Sequence, residues 1–327
     1  MSSQIQSVLF ELDTSYYGHP YYVSGNALYA AIAQSVPGAV ASNLRVSMGS
    51  LFVGEYGKIP AATDESRRSI YSTSLPDVER YEDLFIFRDA AQRWLLDSRA
   101  REVHNCLTLE NHGGRIAVAP QCRFGRPPGG RRYKRSVKVH IHCYLQAYGR
   151  QRRDILPIED DRLDEIQVGG GRNFGLGQLT LVDTQLIDLD ELSYASLHAS
   201  DTFEIDLYAP YVLHSEHPSG DDQSVPWWWE TEQPLRERQT KLAFGDHCYD
   251  VQTIDHGQTV RYVGDAPIET ARNGINRIGT HSKIGFGEFR VRPATVDRVT
   301  EMDGSSAATQ TRVAAVRSAT PQRMEDA

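Results

Sequence analysis

Five glycines fall within nine positions, at Gly169, Gly170, Gly171, Gly175 and Gly177, with Arg172 and Asn173 between them. Glycine has no Cβ, so such a loop reaches positive φ and lets a phosphodiester backbone come close to its N–H groups. Arg172 and Asn173 add side-chain donors for phosphate oxygens and 2′-hydroxyls. A second cluster, Gly279, Gly285 and Gly287, encloses His281, Ser282 and Lys283 as further donors. The two clusters share one pattern, G-x5-G-[LF]-G-[QE]-[LF], repeated 110 residues apart. Each copy follows a segment opening Pro-Ile-Glu, at 157–159 and 267–269. Internal similarity with matched flanks means two copies of one structural unit.

Two other features bear on a polyanion. From Arg123 to Arg153 the chain carries ten Lys or Arg and no Asp or Glu, although its net charge is −8. Arg126, Arg131, Arg132, Lys134 and Arg135 in this stretch predict a phosphate-facing surface, with Tyr133 placed to stack on a base. His19, in "YYGHPYYVSGNALY", precedes the first predicted helix among Tyr16, Tyr17, Tyr21 and Tyr22. Its ordinary reading is a loop histidine beside a proline. His140 and His142 alternate on one strand with Cys143, and a basic RNA-facing strand is expected there in preference to a metal pair. No Asp/Glu cluster has the spacing of a two-metal nuclease, so no metal and no cofactor are expected.

These residues need elements to hold them. "IQSVLFELD" predicts a first strand, and "SGNALYAAIAQSV" a helix capped by Ser24, with Ala27, Leu28, Ala31 and Ile32 on one face. "NLRVSMGSLFVGEYG" predicts strand and turn; "LPDVERYEDLFIFRDAAQRWLLDSRAREV" has helical periodicity, with "DLFIFRD" open to a strand. "IAVAPQCRFG" and "SVKVHIHCYLQAY" alternate as strands around the basic loop, and "PIEDDRLDEI" predicts a short acidic helix. After the first glycine loop, "QLTLVDTQLI" is a strand. In the second half "DTFEIDLYAPYVL" predicts a strand, "PWWWETEQPLRERQTKL" irregular chain and then helix, and "CYDVQTIDHGQTVRYVG" a hairpin turning at His256-Gly257. "PIETARNGINRI" predicts a helix, and three adjacent tryptophans, 227–229, cannot all be buried on one face.

Chain order decides what the glycines hold. Nucleotide-binding loops run strand, glycine loop, helix, and seat phosphate on the helix N-terminus. Here the order is helix, glycine loop, strand, and neither G-x-G-x-x-G nor a GK[ST] ending occurs in that setting. Duplicated in this order, Gly169–Leu179 and Gly279–Val291 resemble the RAMP superfamily of CRISPR-associated RNA-binding proteins. The resemblance implies an α+β chain of two ferredoxin-like, RNA-recognition-type β-α-β-β-α-β units. Each has an antiparallel sheet and ends in a glycine-rich loop plus a strand. It divides the chain into units at 1–195 (with the basic insertion) and 196–295, before a disordered tail at 296–327. The second unit departs from the pattern: no first helix follows its first strand, and an insertion is expected around "SVPWWWETEQ".

The resemblance also implies CRISPR RNA as ligand and other CRISPR effector subunits as partners, the chain holding RNA within an antiviral ribonucleoprotein. Two alternatives stay open. One is a metal-independent repeat-processing endoribonuclease with His19 catalytic; the other is a ferredoxin-like protein for a non-RNA ligand, its glycine loops purely structural. Composition narrows the rest. Hydrophobic residues are 40% and charged residues 24%, which suits a globular core. No apolar run approaches the roughly 20 residues of a membrane span. Cys106, Cys122, Cys143 and Cys248 form no C-x-x-C pair, which argues against a zinc ribbon. Neither a membrane nor a small-molecule cofactor is expected as partner, and the absence of a leader-like N-terminus makes the cytoplasm the expected location.

Overall fold

The computed structural model describes residues 4–19, 21–53, 75–97, 109–112, 115–124, 135–148, 155–245 and 247–296. The expected disordered tail lies outside these residues apart from Val296. The architecture is mixed α+β with antiparallel sheets.

The first half opens with β1 (Gln4–Leu12), β2 (Tyr22–Val23), α1 (Gly25–Ser35), α2 (Gly38–Asn43), β3 (Leu44–Val46) and β4 (Gly49–Val53). A 3-10 turn at Tyr81–Phe85 leads into α3 (Ile86–Asp97), so "DLFIFRD" is helical. Then come β5 (Leu109–His112), β6 (Arg115–Val118), β7 (Gln121–Phe124), β8 (Arg135–Ala147), α4 (Asp160–Leu163), β9 (Ile166–Gln167) and β10 (Gln178–Asp188). The main sheet runs β2-β4-β8-β1-β10-β9, with β3 and β7 also paired to β8. Ser24 caps α1, its Oγ accepting from the Ala27 amide at 3.3 Å. Leu28 and Ile32 of α1 and Leu163 of α4 are buried against Phe10, Ile141 and Leu179 of the sheet.

The second half consists of α5 (Ala195–His198), β11 (Phe203–Leu207), β12 (Tyr211–Ser215), β13 (Trp229–Glu230), β14 (Glu237–Phe244), β15 (His247–Ile254), β16 (Thr259–Tyr262), α6 (Pro267–Asn276) and β17 (Phe289–Pro293). Its strands form two sheets, β13-β16-β11-β17 and β12-β15-β14. Two expectations are corrected here. Residues 237–244 form an edge strand rather than a helix, paired to β15 along its length. The stretch 248–262 is not a hairpin, because β15 pairs with β12 and β14 while β16 pairs with β11 and β13. Asp255–Gly257 is thus a corner between sheets. Of the three tryptophans, Trp229 is buried and Trp227 is 77% exposed.

The halves share a core. Ile5, Tyr144 and Ile187 from the main sheet pack in one cluster with Phe203, Ile205, Phe289 and Val291. A buried polar network lies at the same boundary. Both nitrogens of the Arg88 fork facing Glu288 bind its carboxylate, and Arg88 Nη2 also donates to Ser47 Oγ at 3.2 Å. Arg88 Nη1 lies 2.8 Å from His142 Nδ1 and can only donate, so His142 accepts there and donates from Nε2 to Ser7 Oγ, 2.8 Å away. Burial opposes the Arg88 charge, yet Glu288 outweighs it and raises its affinity for the proton. Burial, then Arg88, hold His142 well below the usual histidine range. The expectation of an RNA-facing strand therefore fails at His142, which sits inside the protein because β8 is a central strand, covered by Phe87 of α3.

Candidate functional site

The two glycine loops have the same backbone. Gly169, Gly171, Gly175 and Gly177 lie at φ +82°, +72°, +75° and +72°. Their counterparts 110 residues on, Gly279, His281, Gly285 and Gly287, lie at +78°, +62°, +100° and +76°. Five of the hydrogen bonds closing the loops correspond, those of the Val168, Phe174, Gly175, Leu176 and Gly177 amides to those of Ile278, Ile284, Gly285, Phe286 and Gly287. Phe174 and Ile284 amides donate to Gly171 and His281 carbonyls, at 2.8 and 3.0 Å. Val168 and Ile278 amides donate to Gly177 and Gly287 carbonyls, at 2.9 and 3.1 Å. Gly177 and Gly287 amides each donate at 2.9 Å, to Ser15 and Pro210, just past β1 and β11. A Cβ on Gly177 would overlap the Val168 carbonyl oxygen, and one on Gly287 that of Ile278. Only glycine fits there.

What surrounds each loop differs. Arg172, Asn173 and Gly175 are exposed, and Phe174 is 81% exposed. None of the hydrogen bonds closing this loop uses the amide of Arg172 or Asn173. Beside it opens a cleft of about 780 Å³, lined by Gln34 and Ser35 of α1, by Asp164 and Glu165, and by Gly169–Asn173.

The second loop turns inward. Ile284 is 6% exposed and packs in a cluster with Met48, while Phe286 is buried beside it. A Cβ on Gly285 would lie 2.7 Å from the Met48 amide nitrogen, and one on Gly25 would overlap the Ile284 carbonyl. Lys283 Nζ donates to the Ser42 carbonyl at 3.0 Å and sits 4.8 Å over the Tyr29 ring. His281 Nε2 is 2.7 Å from Ser215 Oγ, and the Ser282 carbonyl accepts from Arg277 Nε at 2.9 Å. Burial, then His217, lower the proton affinity of His281. The donors on Lys283 and His281 are thus engaged with this chain's own atoms.

His19 lies one short step from the first loop. The Gly170 amide donates to the Tyr17 carbonyl at 2.8 Å, and two residues later His19 stacks on Tyr22, with centroids 3.8 Å apart. The His256 ring from the second half is 6.2 Å from His19 and 5.3 Å from Tyr22. Burial comes first among the causes, followed by His256 and Arg238, that bring His19 down to about 4 against a counter-pull from Asp255. His19 is therefore neutral at pH 7. The basic-segment residues Arg126, Arg131, Arg132, Tyr133 and Lys134 lie outside the described residues, and Arg135 begins β8. Among the described residues, no group of three or more His, Cys, Asp or Glu is placed to hold a metal ion. Nor is any helix among them long and apolar enough to cross a membrane.

His256 is the residue that the sequence reading passed over. Its signal is the Asp-His-Gly string at 255–257, but its neighbour His19 comes from the other half, so spacing alone does not pair them.

No family model matches the sequence, and no curated protein matches it. Among solved structures, the chain is similar to a CRISPR associated protein Cas6 at 9% identity, over 88% of this chain and 98% of that one, with a TM-score of 0.34.

Proposed function

We propose that this chain binds CRISPR RNA along the first glycine loop and holds it as a subunit of an effector ribonucleoprotein. The observation carrying this reading is the open loop, with Arg172, Asn173 and Phe174 exposed on a backbone that has four left-handed positions and is closed by its own hydrogen bonds. Its setting supports the same reading. The strand orders β10-β1-β8-β4 with α1 and α4, and β17-β11-β16-β13 with α6, support reading each as a ferredoxin-like, RNA-recognition-type unit. In the second unit β12 follows β11 in the place of a first helix, and β14 and β15 are inserted between β13 and β16. Exposed donors beside a cleft suit a sugar–phosphate backbone, which is read by phosphate and 2′-hydroxyl contacts.

A gel-shift titration with CRISPR repeat RNA tests the reading. A charge-assisted hydrogen bond contributes roughly 1.5–3 kcal/mol, so Arg172→Ala with Asn173→Ala should weaken binding by about tenfold or more. Equal binding by this double variant would remove the loop from the interface.

A second reading, the metal-independent endoribonuclease, draws on one observation: His19 stacks on Tyr22 beside a second histidine, two residues from the strand of chain that anchors the loop. Both readings share the RNA and differ in whether the chain also cuts it.

A further inference from the structure

The three adjacent tryptophans share one turn, and each meets a different environment. Trp229 is buried and packs against Tyr211 and Phe289, with ring centroids 5.1 and 6.2 Å away. Trp228 is half-buried, its ring 5.5 Å from that of Phe289, and its carbonyl accepts from the Val263 amide at 3.1 Å. Trp227 is left in solvent, 77% exposed. The turn that displays it is tied down on both sides. The Trp229 amide donates to the Pro226 carbonyl at 3.0 Å, and the Gln223 amide to the Leu213 carbonyl at 2.7 Å. Tyr211 Oη donates to the Ser224 carbonyl at 3.1 Å. An indole held out on an anchored turn loses little conformational freedom when a partner covers it. Val225, two residues before it, and Val263, bonded to Trp228, add exposed apolar surface.

The charges around this turn have one sign. Residues 219–234 carry Asp221, Asp222, Glu230 and Glu232 and no Lys or Arg, and Asp265 follows Val263 by two positions. All five carboxylates are on exposed residues. Arg261 meets Glu230 at 3.1 Å and His214 meets Asp222 at 2.6 Å, but exposed pairs of this kind are screened by water and contribute little. Phe174, equally exposed, stands beside Arg172 and Asn173 instead. Carboxylates repel a phosphate chain, so the two aromatic tips suit different ligands. An apolar centre with a charged rim is the anatomy of a protein–protein contact, in which tryptophan is enriched as the anchor.

We infer that Trp227 is the anchor for a partner protein that brings a basic segment. The indole enters an apolar pocket of that partner, and Asp222, Glu230 and Glu232 face its Lys or Arg side chains. No residue of the first glycine loop takes part, so this docking and RNA binding are separate properties of the chain.

The full chain is panned against a random-peptide library displayed on phage, and synthetic copies of the selected peptides are titrated by fluorescence anisotropy. The selected peptides should carry Lys or Arg next to an aromatic or aliphatic residue. Trp227→Ala should weaken their binding by about thirtyfold or more, the loss expected of an interface anchor. Its urea unfolding should match that of the wild type, because the ring is exposed. Glu230→Gln with Glu232→Gln should weaken binding about two- to fivefold and flatten its salt dependence. A library that yields no basic binder would overturn the proposal, as would peptides that bind Trp227→Ala as well as the wild type. Weaker binding of CRISPR repeat RNA by Trp227→Ala would overturn it in favour of a nucleic-acid contact. A wild-type dimer in sedimentation equilibrium that Trp227→Ala dissociates would assign the turn to a second copy of this chain instead.

Discussion

The first and second glycine loops share a backbone shape and five matching hydrogen bonds, yet one faces solvent and the other fills a seat in its own chain. Left-handed φ at four matched positions sets the loop shape in both. That shape alone therefore does not make a ligand site; what decides is whether the tip is covered. At the second tip the residues are Ile284 and Phe286, which the seat around Met48 buries. At the first they are Phe174 and Leu176, and Phe174 is 81% exposed. Glu288, in the second copy of the motif, reaches Arg88, whereas its counterpart Gln178 begins β10 uncharged. One copy has become a joint, and the other remains available.

The comparison can be broken first at its anchor. Glu288→Ala leaves Arg88 buried without its carboxylate, and removing one partner of a buried pair costs about 3–5 kcal/mol, measurable by urea unfolding. A loss near zero would mean that the joint does not depend on this pair. Next come the tips. Ile284→Ala should cost about 2–5 kcal/mol, whereas Phe174→Ala should stay within about 0.5 kcal/mol and act only on RNA affinity. Equal losses at both tips would show that the first is covered after all.

A finer contrast uses the two glycines alone. Gly285→Ala meets left-handed strain and a clash with the Met48 amide, so about 2–4 kcal/mol is expected. At Gly175 a Cβ meets nothing within 4 Å, and Gly175→Ala should show only the left-handed strain of about 1–2 kcal/mol. The smallest effect is a pH dependence. His142 in the joint has its folded pKa depressed by burial and by Arg88, so below the ordinary value near 6.5 the unfolded chain binds more protons. Stability present above pH 6.5 should fall as pH drops below it. His142→Gln should flatten that slope, while Arg172→Ala should leave it unchanged.

Much of this was legible in the sequence. The 110-residue echo, the Ser24 cap and the stripe of Leu28, Ala31 and Ile32 are local, and the structure keeps them. Residues 237–244 misled because a charged, exposed edge strand protects itself with Arg and Lys, and that composition also suits a helix. The 248–262 segment misled because alternation marks strands without saying which sheet each joins. The contacts of Lys283 and His281 in the joint, and the meeting of His19 with His256, depend on how the halves pack. No spacing within one half encodes that.

The seat for the second loop has a consequence for synthesis. α1 and β3 leave the ribosome early, but the tip that covers them, Ile284 to Phe286, is among the last described residues to appear. β1 likewise waits for β10, with Gln4 paired to Asp188. Closures across such sequence distances are slow, and until they occur the apolar surface at Tyr29 and Met48 is open to other chains. A nascent chain stalled before residue 284 should therefore bind a hydrophobic dye at that surface and be a client for chaperones, and release of the full chain should end both.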